Sequence, residues 1–272
     1  MVNICLSAAA LRIKDTLPAY RDPNLRSEDL PTGVSFASGG SGNDNLTASI
    51  QGVLSLATQL QMFKEYIGKL KGIVGEEKAN SIIPNSLYLL SAGNNDIAIT
   101  YSATARRGLP FPTYANLLVG WASDFLKDLY EVGARRVWVL STLPLGCLPG
   151  ARATCGGFCI DITNKEAEFF NTKLSSGLDS LKRSLSDYDL TFVDVYTPLL
   201  GIINNPQSSG FNNVANGCCG TGTIEIGVSC NVFNPLICPN PSTHVFWDAG
   251  HPTQRAYEIV VSDIIRKIPT LN

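Results

Sequence analysis

Charge is scarce in this sequence. Of its 272 residues only 16% are Asp, Glu, Lys or Arg, the formal net charge is −2, and no Lys/Arg-rich run occurs. A disordered chain would carry more charge and less apolar content than the 44% found here. A nucleic-acid footprint would need a basic patch or stripe. Long apolar runs are also missing, and none approaches the roughly 20 residues that span a bilayer. Histidine is reduced to two residues, His244 and His251. The glycine-rich stretch at residues 33–42 is not followed by Gly-Lys-Ser/Thr, which excludes a phosphate loop of that kind. Residues 1–10 are apolar but short and lack a basic segment, so they make a poor export signal.

Cysteine, by contrast, is plentiful. There are eight, and seven follow residue 146: Cys147, Cys155, Cys159, Cys218, Cys219, Cys230 and Cys238. A zinc site calls for paired Cys-x-x-Cys or nearby histidines. The spacings here, Cys155-x-x-x-Cys159 and Cys218-Cys219, read instead as staples of loops in an oxidising compartment. Seven is odd, so one of them stays free or pairs with Cys5. Asn45-Leu46-Thr47 is a glycosylation sequon, in keeping with secretion.

Three segments read as strands: residues 87–90, 136–141 and 190–195. The first two are apolar with little alternation, as in strands covered on both faces. Helical periodicity fills the intervals. Residues 59–73 put Leu60, Phe63, Ile67 and Leu70 on one face. Residues 113–132 run from a Thr113 cap to a stop at Gly133. Residues 164–185 and 252–268 are amphipathic. The alternation predicts an α/β chain with a mostly parallel sheet and helices on both faces. In such sheets functional groups gather past the carboxyl ends of strands. Residues 204–240, rich in Gly, Asn and Cys, read as a long excursion held by cysteines within one domain, 1–272.

Three stretches bear on chemistry. The first, Gly93-Asn94-Asn95-Asp96, leaves the strand at 87–90; it reads as a turn, or as a donor aimed at a charge that develops during a reaction. Asp248 and His251, three apart, directly precede a helix that Pro252 is placed to open. The carboxylate fixes one imidazole nitrogen and leaves the other as a general base, or else Asp248 is a local cap and His251 merely exposed. Residues 33–42 are a flexible turn, or a loop whose N–H groups approach an anion. His244 reads as a solvated loop residue. Taken together, a Gly40 N–H and the Asn95 amide form an oxyanion hole and His251 with Asp248 a base, the set that ester hydrolysis through a serine needs.

These stretches resemble the plant GDSL-type esterase/lipases, a branch of the SGNH hydrolases. The resemblance rests on "GVSFASGGSG", "AGNNDIA", "RRVWVLSTLPLGCLP", "NGCCGTG" and "VFWDAGHPTQRAY", in that order and from about residue 10 onward. It implies a three-layer α/β/α sandwich with a flavodoxin-like parallel sheet. It implies Gly40 and Asn95 as oxyanion-hole donors, Asp248 and His251 as catalytic residues, and a small-molecule or lipid ester as substrate. No metal or organic cofactor, nucleic-acid partner or transmembrane segment is implied, and the location is extracellular. Ser35 stands where the family commonly has Asn. The family's first block, Gly-Asp-Ser-Leu, is absent from these residues, and with it the nucleophile and the first strand and helix. The expected consequences are impaired activity, or a non-catalytic form retaining an acyl-binding site, and two neighbouring strands with unpaired edges. Ser38, Ser41 and Ser91 do not sit where a strand-to-helix turn would expose a substitute.

Overall fold

The computed structural model describes residues 14–267, apart from Val232, Asn234, Pro235 and the side chain of Val228. In chain order the main elements are α1 (Asn45–Gln51), α2 (Leu56–Val74), α3 (Glu76–Asn85), β1 (Leu87–Leu90), α4 (Phe111–Glu131), β2 (Arg136–Leu140), α5 (Pro149–Ala153), α6 (Asp161–Ser184), β3 (Asp189–Val193), α7 (Tyr196–Asn204), β4 (Asn213–Gly217), β5 (His244–Phe246) and α8 (Gln254–Lys267). The described chain divides into two compact units, one of residues 14–142 and 169–193, the other of residues 143–168 and 194–267.

The first unit is built on a parallel sheet in the order β1-β2-β3. Leu87 pairs with Arg136, and the β2–β3 register runs from Arg136↔Asp189 to Leu140↔Val193. Each parallel step needs a crossover, supplied by α4 and by α6. Val137, Trp138, Val139 and Leu140 are all buried, as befits the central strand and as its unbroken apolar run predicted. On α4, Tyr114, Leu118, Ala122, Leu126 and Leu129 recur every three to four residues and are buried. The Thr113 cap is not realised: α4 begins two residues earlier, with Pro110 at its N-cap, where a locked φ suits entry into a helix. On α2, Leu60, Phe63 and Leu70 are buried, but Tyr66 takes the place expected for Ile67, which is half-buried. Tyr66 stacks on Phe63 and donates to Leu30 O at 2.9 Å, so its polar tip is satisfied where water is excluded.

Among the described residues β1 and β3 each pair only with β2, so both are edge strands. Ser35 forms an isolated parallel bridge with Ala19.

The second unit holds the parallel pair β4–β5 and the helices α7 and α8, which pack together. The three disulfides among the described residues lie here: Cys147–Cys159, Cys218–Cys238 and Cys219–Cys230. The last two staple the excursion that the sequence marked out. Cys155 is the odd cysteine, free and exposed; Cys5 and Ile268 lie outside the described residues. Among the described residues no helix is long and apolar enough to cross a membrane.

Leu126 is fully buried in α4. Leu126→Ala is expected to lower stability by about 2–5 kcal/mol through lost transfer energy and the cavity left behind. Urea unfolding reads this as a reduced midpoint with an unchanged slope.

Candidate active site

The chain leaves β1 through residues 91–95 and enters a short π-helical segment, Asp96–Tyr101. Asp96 is fully buried. Its carboxylate accepts from Asn43 N at 2.8 Å, Asp44 N at 3.0 Å and Thr47 Oγ1 at 2.6 Å. Burial pushes this carboxyl above its ordinary value, and those three hydrogen bonds oppose the rise. Gly42 is needed at the mouth of the clamp, because a Cβ there would fall on the Asp96 carboxylate. Asp44 in turn caps α1 by accepting from Leu46 N at 2.9 Å and pairs with Arg106 Nε at 2.8 Å. The loop at 40–44 is thereby fastened to the end of β1.

The two expected oxyanion donors sit on this fastened pair of loops. Asn95 Nδ2 donates to Ser41 O at 2.9 Å. A side-chain amide carries two N–H bonds, so this contact fixes the amide plane and leaves its second hydrogen available. Ser41 is itself held, its Oγ accepting from Gln59 Nε2 at 3.2 Å while Gln59 also donates to Leu54 O at 3.0 Å. Gly40 adopts φ +93°, a conformation open to glycine at little cost. No described residue accepts from its N–H. Of the serines considered as substitutes, Ser38 Oγ accepts from Leu54 N at 3.1 Å, and Ser41 is bound as above. The sequence Asp179-Ser180-Leu181 lies within α6, with Ser180 Oγ donating to Ser176 O at 2.9 Å, not on a strand-to-helix turn. The supporting roles of Thr47, Gln59 and Asp96 went unread in the sequence. The available signal was an acid immediately before the apolar run Ile97-Ala98-Ile99, which asks for a buried partner.

Asp248 and His251 belong to the second unit. After β5 the chain folds back at once, Trp247 N donating to His251 O at 2.8 Å. The Asp248 side chain is buried, 1% exposed, and that of His251 is 55% exposed. Asp248 Oδ1 accepts from Gly250 N at 2.8 Å and His251 N at 2.7 Å, and Oδ2 accepts from Gly227 N at 2.9 Å. His251 Nδ1 lies 2.9 Å from both oxygens. An ionised carboxylate only accepts, so Nδ1 carries the proton, and in the neutral ring Nε2 carries the lone pair. Burial alone would raise the Asp248 carboxyl. The His251 hydrogen bond, the Gly227 N–H, the His251 charge and the Gly250 N–H together hold it below its ordinary value. Outside this turn, Ala249 N donates to Glu225 O and Gly150 N to Ala249 O, each at 2.9 Å.

Two local expectations are corrected. Pro252 does not open α8; it bridges Phe246, and α8 begins at Gln254 with Thr253 Oγ1 accepting from Ala256 N at 3.3 Å. The threonine hydroxyl takes the capping role, so Asp248 is free of it and serves His251. His244 is not a solvated loop residue. It starts β5, is half-buried, and places Nδ1 3.2 Å from Thr243 Oγ1.

The family described as "GDSL-like Lipase/Acylhydrolase" matches residues 7–264. The chain is 50% identical over 265 residues to the Arabidopsis thaliana protein "GDSL esterase/lipase At1g23500", covering 96% of this chain and 74% of that one. It is 48% identical over 266 residues to "GDSL esterase/lipase EXL3" of the same plant, covering 96% and 73%.

Asp96→Ala is expected to leave three donors unsatisfied and cost about 3 kcal/mol or more in urea unfolding. A carboxyl held below its unfolded value contributes stability that is present above that value and lost as pH falls through the folded one. The stability gap between wild type and Asp248→Asn is therefore expected to be largest at neutral pH and to shrink below about pH 4, read from unfolding curves at stepped pH.

Proposed function

This chain belongs to the GDSL-like lipase/acylhydrolase family, and from that premise we propose that its residues serve serine-type acyl transfer on small-molecule or lipid esters. By family it is a carboxylic ester hydrolase. The observation that carries the mechanistic reading is the His251 Nδ1–H held by the buried Asp248 carboxylate, which leaves Nε2 as a base. In the proposed reaction a serine oxygen attacks the ester carbonyl while His251 Nε2 takes its proton. Asp248 keeps the ring in that tautomer and stabilises the imidazolium. The Gly40 N–H and the free hydrogen of the Asn95 amide donate to the oxyanion. His251 then returns the proton to the departing alkoxide, and water repeats the sequence to release the acid.

Residues 1–272 contain no Gly-Asp-Ser sequence. We assign the attacking serine to a block of that type, so these 272 residues alone are expected to be impaired. The same absence favours a second reading, a non-catalytic chain that keeps an acyl-binding site. Three disulfides and relatives from a plant fit an oxidising compartment. Secretion as a single hydrolase domain, with a glycan on the exposed Asn45 and a role in lipid degradation, completes the proposal.

The test uses a short-chain nitrophenyl ester and a fluorophosphonate probe. The polypeptide of residues 1–272 is expected to give little or no turnover and no labelling. The same residues joined to an upstream Gly-Asp-Ser-Leu block are expected to be labelled and active, and His251→Ala in that form to lose about 10³-fold or more. Robust, probe-blocked turnover by residues 1–272 alone would overturn the assignment of the nucleophile. Ester binding without turnover in both forms would favour the non-catalytic reading.

A further inference from the structure

The stretch between Asp194 and Asp248 is almost uncharged. Over residues 195–247 the only Asp, Glu, Lys or Arg is Glu225, where the chain's 16% average would place about eight. Within it, the excursion stapled by Cys218–Cys238 and Cys219–Cys230 turns large apolar side chains outward. Ile224 is 79% and Phe233 88% exposed, and Ile226, Leu236 and Ile237 are exposed as well. Burying such groups is the ordinary outcome of folding, and a cluster left outside marks a binding surface.

The described residues of the excursion are tied to one another. Gly220 N donates to Leu236 O at 2.6 Å, Cys238 N to Cys218 O at 2.8 Å, and Cys219 bridges Ile237. Glu225, its one charge, is turned onto its own turn, accepting from Thr221 N at 2.8 Å and Thr221 Oγ1 at 2.7 Å. The result is a stapled knuckle that turns large apolar side chains outward between exposed polar ones, Thr221, Ser229 and Asn231, and carries a single charge. It is also continuous with the dyad: Gly227 N holds Asp248, Glu225 O holds Ala249, and Ile226 Cδ1 lies 2.8 Å from where a Cβ on Gly250 would stand.

We propose that this knuckle inserts Ile224, Phe233 and their apolar neighbours into the surface of an uncharged lipid assembly, so that the Asp248–His251 site works on lipid esters at that surface. The proposal deepens the hydrolase reading and rests on it for the substrate class. A protein partner chosen by charge complementarity would be met by charged groups, of which the excursion has Glu225 alone. An anionic membrane would be met by Lys and Arg, of which the stretch has none. Exposed aromatic and aliphatic side chains without charge match the interfacial region of a zwitterionic bilayer.

The experiment is sedimentation of the 272-residue chain with vesicles of pure phosphatidylcholine, at low and at molar salt, which needs no turnover. Binding is expected, unchanged by salt. Ile224→Ser with Phe233→Ser is expected to weaken it about tenfold or more, while Ile162→Ser, also exposed but outside the knuckle, and His251→Ala leave it intact. Circular dichroism and Cys219–Cys230 mapping confirm that the variants fold. Failure to sediment, a requirement for anionic lipid with loss at high salt, or a dimer that the double substitution dissociates would each overturn the proposal. Vesicle binding combined with no hydrolysis by the form carrying a Gly-Asp-Ser-Leu block would leave the docking surface standing and sink the hydrolase reading. Hydrolysis of soluble esters without vesicle binding would do the reverse.

Discussion

A carboxylate taken out of water must be met by donors, and two such carboxylates organise the candidate chemistry of this protein. Among the described residues neither Asp96 nor Asp248 is met by a lysine or arginine. Asp96 is solvated by two backbone N–H groups and a threonine hydroxyl, and Asp248 by three backbone N–H groups and an imidazole. Leaving a buried charge short of such partners is costly, so each acid dictates the path of the loop around it. In the first unit that path fixes the residues next to Gly40 and Asn95. In the second it fixes the tautomer of His251. Dipoles supplied by backbone are rigid, and rigid donors reorganise little when charge moves during a reaction.

The strands and the long helices were legible in the sequence because their signals are local. An apolar run without alternation announced β2, and a period near 3.6 announced α4 and α6. The Asp-x-x-His spacing was legible for the same reason, since the two side chains meet across one turn. The Asp96 clamp was not, because its donors lie 49 to 53 residues away and no local pattern reports a contact that only the tertiary fold creates. Pro252 misled for a related reason. A proline before a helical pattern favours the first helical position, yet here its bridge to Phe246 holds it in an extended segment, and Thr253 caps the helix instead. His244 looked solvated beside Asn, Pro and Ser, but β4 pairs with it at Asn213.

The two loops also differ in what surrounds them. The loop at 40–44 is closed by polar contacts, an ion pair and a glycine with no room for a side chain, and its tolerance of substitution is low on steric grounds alone. The loop at 248–251 is braced from outside by Gly150 and by the stapled excursion. Its geometry therefore depends on covalent cross-links some distance along the chain, and the proposed base, His251, inherits their integrity.

Those cross-links start from adjacent residues. Cys218 and Cys219 reach Cys238 and Cys230 respectively, and four thiols can combine in three ways. Exchanging the two partners gives loops of nearly the same length, so chain entropy barely separates the native bridges from the swapped ones. Selection must come from packing around Gly227 and Ala249, which forms only when the rest of the unit is in place. Maturation of this region is thus a thiol-exchange problem, solved by repeated breakage and re-formation until one isomer is trapped.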